Sequence, residues 1–177
     1  MRRLIRWELA GFLWTSAAGT LLHFVYEWSG NHPVAAAFAA VNESVWEHMK
    51  LMVMPVFLFT VVQVWVQGEA YPNITAARPL SMAVGTALIP VLFYTYTGIL
   101  GMQAAWVNIL IFYLAAAVLF WWDYSLLRRG RFSAVWAQLL GVVALWTIVS
   151  IFVWCTYRPV RLPLWQDYVT GGYGIAG

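Results

Sequence analysis

The chain has 177 residues, of which 63% are hydrophobic and only 10% are charged, and its formal net charge is +3. Soluble domains are about half apolar and about a quarter charged, so this composition excludes an ordinary water-soluble fold. A mean hydropathy of +0.73 and an aromatic content of 18% also exclude a disordered chain. We therefore expect one integral membrane domain, residues 1–177, that contacts the lipid bilayer and does not bind nucleic acid.

Five apolar stretches are each long enough to cross about 30 Å of hydrocarbon. They lack the alternating pattern of barrel strands, which are about ten residues long, so the predicted fold is all-α, a bundle of five transmembrane helices. The predicted spans are residues 7–28, 49–66, 80–100, 104–127 and 133–156, followed by a short external tail at 157–177.

Positively charged residues predict how the bundle is oriented. With the N-terminus inside, the cytoplasmic charges are Arg2, Arg3, Arg6, Arg78, Arg128, Arg129 and Arg131. The outer charges are then Lys50, Arg158 and Arg161. This asymmetry predicts an N-terminus inside, in the cytoplasm, and a C-terminus outside.

Two acidic residues lie near the predicted cytoplasmic ends of the spans. Glu8 follows Arg6, and Asp123 precedes Arg128 and Arg129. We expect both carboxylates to pair with these neighbouring arginines at the membrane interface.

Polar residues of the first span form one stripe. Ser16, Thr20, His23 and Glu27 follow each other at steps of four, three and four residues, which places them on one helix face. A charge that faces lipid near mid-bilayer costs about 2–3 kcal/mol, so this face is expected to point into the bundle. His23 and Glu27 are one turn apart, and their contact is either structural or part of a ligand-binding or proton-carrying site.

A second group of polar residues stands at the entrance of the second span. Ser44 and Glu47 have the spacing of a capping box, in which the hydroxyl accepts from the N–H of Glu47 and the carboxylate accepts from that of Ser44. Lys50 can pair with Glu47 or extend to the interface. Capping leaves Glu43 and His48 without a role.

The outer ends of the first two spans therefore collect five ionisable side chains. The candidate catalytic residues are His23, Glu27, Glu43, Glu47 and His48. Imidazole and carboxylate groups are ligands for Zn²⁺, Mn²⁺ or Fe²⁺, so a divalent transition metal is a candidate cofactor. The alternatives are a metal-free polar or proton-active site and a purely structural network. The hypothesised metal ligands are His23, Glu27, Glu47 and His48.

Helix geometry restricts how many of these residues can meet. On one regular helix His48 is rotated about 100° from Glu47. We therefore expect a subset, namely His23 and Glu27 with either Glu43 and Glu47 or His48. Further polar and aromatic residues could wall a pocket above them, and these are Tyr94, Tyr96, Thr97, Asn108, Trp154 and Tyr157.

The segments HFVYEWSG (residues 23–30) and VNESVWEHMKL (residues 41–51) resemble the signature of an uncharacterised family of small bacterial membrane proteins. The resemblance covers the whole chain in length and number of spans, while the specific motifs lie within residues 23–51. It implies a multi-pass bacterial membrane protein and carries no activity with it.

Three classes of function remain open. The chain could be an enzyme or metalloprotein whose site opens to the outer leaflet, with the histidines and glutamates as ligands or acid–base groups. It could instead be a small transporter or ligand-binding subunit, in which the stripe of the first span lines a passage. The third class is a non-catalytic accessory protein, in which the polar cluster only fixes the packing of the first two helices. A homo-oligomer or a membrane partner protein is a further possible partner of the chain.

Overall fold

The computed structural model describes residues 2–176. Within this range the chain is helical and has no β-strand, and five of its helices are long and apolar enough to cross a membrane. This confirms the predicted all-α fold class. The helices are α1 (Arg2–Trp28), α2 (Pro33–Ala36), α3 (Val45–Gln67), α4 (Ile74–Leu100), α5 (Ala105–Arg128) and α6 (Val135–Tyr157).

The central helix of the bundle is α3. All of its residues from Val45 to Val56 are buried except His48. Helix α3 packs against α1, α4 and α6, while α5 contacts α1 and α4. Large apolar side chains on the other helices, such as Trp14, Trp121 and Trp146, are exposed on the outside of the bundle. Such an apolar outer surface is suited to contact with lipid.

Two glycines allow helices to approach each other closely. A Cβ atom at Gly19 of α1 would lie 2.8 Å from the carbonyl oxygen of Leu51 in α3. A Cβ atom at Gly141 of α6 would lie 2.1 Å from the carbonyl oxygen of Thr75 in α4. Both distances are shorter than van der Waals contact, so a larger residue at either position would push the two helices apart.

At the N-terminal end of the bundle, where α1, α4 and α6 begin, Arg78 is buried between two carboxylates. Its Nη2 atom lies 3.1 Å from Asp123 Oδ2, and its Nη1 atom lies 3.8 Å from Glu8 Oε2. The expected interfacial pairs of Glu8 and Asp123 are therefore wrong. Residues two apart on a helix do not face each other, so Arg6 points away from Glu8. Asp123 lies on the face of α5 that packs against α4.

At the opposite, C-terminal end, Lys50 joins three segments of the chain. Its Nζ atom lies 2.6 Å from Glu47 Oε2 and donates to the carbonyl oxygen of Ala36 (2.8 Å) and to Thr156 Oγ1 (2.7 Å). The hydroxyl of Thr156 donates to Glu47 Oε1 at 2.8 Å. Of the two alternatives for Lys50, the structure thus shows the pairing with Glu47. The network fixes the connection between α1 and α3 against α6.

We expect Lys50→Met to lower the free energy of unfolding by about 3–5 kcal/mol, because the Glu47 carboxylate would remain buried beside a methyl group. Thermal unfolding in detergent measures this effect. The double variant Glu47→Gln/Lys50→Met should recover much of the loss.

Arg158→Met is the matched control, since Arg158 is a cation at the same end of the bundle but is exposed. Its unfolding temperature should hardly change. If Lys50→Met were as stable as this control, the buried ion pair would not hold the C-terminal end together.

Candidate functional site

The first turn of α3 decides which side chains reach the site. Ser44 caps this helix, because its Oγ atom accepts from the N–H of Glu47 at 3.3 Å. The second bond of the predicted capping box, from the N–H of Ser44 to the Glu47 carboxylate, does not form, and two other bonds take its place. The N–H of Ser44 donates to Asn42 Oδ1 (2.9 Å), and the Glu47 carboxylate accepts from the N–H of Val41 (3.2 Å). Helix α3 therefore begins at Val45, and Glu43 belongs to the loop before it.

The structure brings together three of the five predicted site residues. Glu43 lies outside the helix, so helical periodicity does not keep it away from His48. Its Oε2 atom lies 3.5 Å from His48 Nε2, and its Oε1 atom lies 3.5 Å from His23 Nε2. One ligand atom from each side chain lies within 4.8 Å of the other two. We call these residues, His23, Glu43 and His48, the His–Glu–His cluster.

The other two predicted residues lie elsewhere. Glu47 is buried and bonded to Lys50 and Thr156, so its carboxylate is already committed to another network. Glu27 is exposed near the end of α1. The ring of His23 points toward the loop before α3, where its Nε2 atom contacts Glu43 instead of Glu27 on its own helix.

The ring of His48 is oriented by its own backbone. Its Nδ1 atom lies 2.9 Å from the carbonyl oxygen of Ser44. A carbonyl oxygen only accepts hydrogen bonds, so Nδ1 carries a proton, and Nε2 of the neutral ring presents a lone pair. That lone pair faces the Glu43 carboxylate at 3.5 Å. A cation between the two atoms would stabilise this arrangement, and it could be either a second proton on the ring or a metal ion.

A residue of the C-terminal tail completes the cluster. The hydroxyl of Tyr168 donates to Glu43 Oε2 at 3.2 Å. Burial, with a contribution from the Glu43 carboxylate, raises the pKa of Tyr168 to about 12. The phenol therefore stays protonated at physiological pH and acts as a hydrogen-bond donor.

Sequence reasoning missed Tyr168, because the tail was expected to be only an external segment. The tail folds back over the C-terminal end of the bundle. Trp165 stacks on Trp46 of α3 with ring centroids 4.7 Å apart, and Asn42 Nδ2 donates to the carbonyl oxygen of Gly174 at 3.1 Å. No local spacing in the sequence indicates these contacts, and the only available signal was the presence of aromatic residues in the tail.

The cluster forms one wall of a cavity of about 360 Å³ between α1, α3 and α5. Apolar side chains make up most of the remaining lining, among them Phe24, Ile109 and Phe112. Thr20, Phe24 and Ile109 are exposed, so the cavity opens on the surface of the bundle between α1 and α5. That surface is the one the protein would present to lipid.

One further polar group stands in the cavity wall. Asn108 of α5 lines it, and the Oδ1 atom of Asn108 accepts from the hydroxyl of Tyr96 at 2.5 Å. The amide NH₂ group therefore remains available as a donor. The other residues expected to wall the pocket do not line it, and these are Tyr94, Tyr96, Thr97, Trp154 and Tyr157.

Comparison with known proteins agrees with the resemblance seen in the two motifs. The family described as "Family of unknown function (DUF6512)" matches residues 1–175. No curated protein and no solved structure matches the chain significantly. The chain belongs to the DUF6512 family of unknown function, as an all-helical protein with five helices capable of spanning a membrane.

Proposed function

We propose that His23, Glu43 and His48 bind one divalent transition metal ion, with zinc as the first choice. The orientation of His48 carries this proposal, because the Ser44 carbonyl holds its Nδ1 atom and its Nε2 atom thereby faces the Glu43 carboxylate. At Zn–N distances of about 2.0–2.1 Å, ligand atoms in a tetrahedral site are about 3.3 Å apart. The two observed distances of 3.5 Å, each to a different oxygen of Glu43, are close to this value. The ligand atoms all lie within 4.8 Å of one another, so the most distant pair must close by up to about 1.5 Å on binding.

The ligand set suits a catalytic site better than a structural one. Two imidazoles and one carboxylate are the protein ligands of many hydrolytic zinc sites and of non-haem iron sites. Three ligands leave a coordination position free for water, and zinc lowers the pKa of a bound water to about 7. The Ser44 carbonyl on His48 and the Tyr168 hydroxyl on Glu43 are the kind of outer contacts that orient such ligands.

The cavity supports a substrate with an apolar chain. Its lining is mainly apolar, and it opens on the bundle surface where lipid would lie. The Asn108 amide NH₂ group is a donor at the same cavity that is not used elsewhere, and it is suited to an oxygen that gains negative charge during the reaction. We infer a metal-dependent hydrolase that acts on the carbonyl or phosphoryl group of an amphiphilic molecule.

We also propose that this cavity lies on the outer side of the membrane. Arg78 and Lys50 are both buried in ion pairs, so neither contributes to the charge balance at the interface. The exposed arginines that remain at the N-terminal end are Arg2, Arg3, Arg6, Arg128, Arg129 and Arg131. Exposed Arg158 and Arg161 lie at the other end, so the asymmetry still supports an N-terminus inside.

The metal site is tested by titrating the metal-free, detergent-solubilised protein with Zn²⁺ and with Co²⁺. We expect about one equivalent to bind tightly, and Co²⁺ to give the visible absorption of a site with nitrogen ligands. His48→Ala and Glu43→Gln should each lose this binding, because two ligands do not hold the ion as well as three.

His32→Ala is the matched control. His32 is the one histidine of the chain outside the cluster, and it caps α2 by accepting from the N–H of Val34. This variant should bind metal like the wild type. If the wild type bound no metal and His48→Ala were less stable, the cluster would be a structural ion pair between a doubly protonated His48 and Glu43.

Tyr168→Phe tests the contribution of the tail. Loss of an outer hydrogen bond to a metal ligand typically weakens metal affinity about 10- to 100-fold, and we expect a decrease in this range. Competition with a chelator measures it. Tyr157→Phe removes a hydroxyl at the same end of the bundle, one that donates to Pro33, and should leave the affinity unchanged. Equal affinities for the two variants would show that Tyr168 does not support the site.

The Ile109→Trp variant tests the role of the cavity independently of metal binding. The larger side chain should fill the space between α1 and α5 while leaving the ligands in place. In an assay with ester substrates of increasing acyl length, we expect zinc-dependent hydrolysis of long-chain esters by the wild type. The variant should bind Co²⁺ normally and lose that activity. A wild type that binds zinc but hydrolyses none of these esters would contradict the proposed reaction without contradicting the proposed metal site.

A further inference from the structure

The N-terminal end of the bundle contains a second cluster of ionisable side chains, remote from the His–Glu–His cluster. Glu8 of α1, Arg78 of α4 and Asp123 of α5 are all buried. The guanidinium of Arg78 also lies over the rings of Phe120 (5.3 Å) and Phe59 (5.9 Å). Four helices, α1, α3, α4 and α5, therefore meet around this one cation.

The charges in this cluster do not balance if both acids are ionised. Arg78 supplies one positive charge, and Glu8 and Asp123 would supply two negative charges. The remaining polar groups that face them are neutral, namely Gln63 and Gln67 of α3 and Ser81 of α4. An uncompensated charge buried in an apolar bundle is strongly unfavourable.

The hydrogen bonds show which carboxylate oxygens have a donor. Glu8 Oε1 accepts from Gln63 at 2.7 Å, and Asp123 Oδ1 accepts from Ser81 at 3.0 Å. The second oxygen of each side chain is buried and contacts Arg78 without hydrogen-bond geometry, with Asp123 Oδ2 at 3.1 Å from Nη2 and Glu8 Oε2 at 3.8 Å from Nη1. Glu8 and Asp123 therefore contact the two Nη atoms of one guanidinium group, and neither of them contacts another cation among the described residues. One positive charge balances only one ionised carboxylate, so the buried cluster is neutral only if one of the two acids carries a proton.

We propose that Glu8 and Asp123 share one bound proton, which makes this buried pair a proton-binding site separate from the metal site. With that proton the cluster is neutral, since it consists of one guanidinium, one carboxylate and one carboxylic acid. Arg78 Nε and Nη1 are buried and donate no hydrogen bond within the described residues, although Nη1 lies 3.8 Å from Glu8 Oε2. Buried polar atoms of this kind are suited to contact with an internal water molecule.

Infrared spectroscopy tests the proposal, because a protonated carboxylic acid has a carbonyl band that a carboxylate lacks and that shifts in D₂O. The wild type at neutral pH should show this band. Glu8→Gln and Asp123→Asn should each abolish it, because either change leaves a single carboxylate opposite Arg78, and that carboxylate is ionised. Glu69→Gln is the control, since Glu69 is an exposed acid just beyond α3 at the same end, and it should leave the band unchanged.

Two results would overturn the proposal. A wild-type spectrum without a protonated carboxyl band would mean that both acids are ionised, and this result needs no variant. A band lost in only one of the two variants would belong to an isolated acid rather than to a shared proton. Circular dichroism shows whether each variant keeps its helices, and neither result depends on whether the His–Glu–His cluster binds metal.

Discussion

An apolar surrounding requires each ionisable side chain of this bundle to find a partner within the protein. Glu47 is satisfied by Lys50, and Glu8 and Asp123 lie on either side of Arg78. Glu43 differs from these acids because its ion-pair neighbours are two histidine rings instead of a lysine or arginine. A neutral imidazole offers no charge, so this carboxylate is the one whose partners suit a cation from outside the chain.

The polar networks have different roles, since the Lys50 network is structural and positions the residues of the proposed metal site. The Lys50 network fixes the loop between α1 and α3, which sets where α3 begins and therefore where Glu43 stands. The tail then packs over this loop and brings Tyr168 to the same carboxylate. The proposed metal site is thus assembled from α1, the loop, α3 and the tail, while α5 closes the cavity in front of it.

The number and approximate positions of the long helices followed from hydropathy, because a span needs about 20 apolar residues. Their starts did not. Helix α1 begins at Arg2 and α4 at Ile74, since a helix continues through polar residues that a hydropathy pattern excludes. The capping residues Ser44 and Glu47 indicated where the site lies. The hydrogen bond from the N–H of Ser44 to Asn42 and the contact of Tyr168 with Glu43 could not be predicted, because no local spacing encodes them.

X-ray absorption of the zinc-loaded protein tests the central claim most directly, because it counts the atoms bound to the metal. The account predicts two imidazole nitrogens, with the remaining ligands oxygen, at about 2.0–2.1 Å. His48→Ala should remove one of the two imidazole signals. A shell made only of oxygen atoms, or one that contains the sulfur of the single cysteine, Cys155, would place the metal elsewhere and contradict the account.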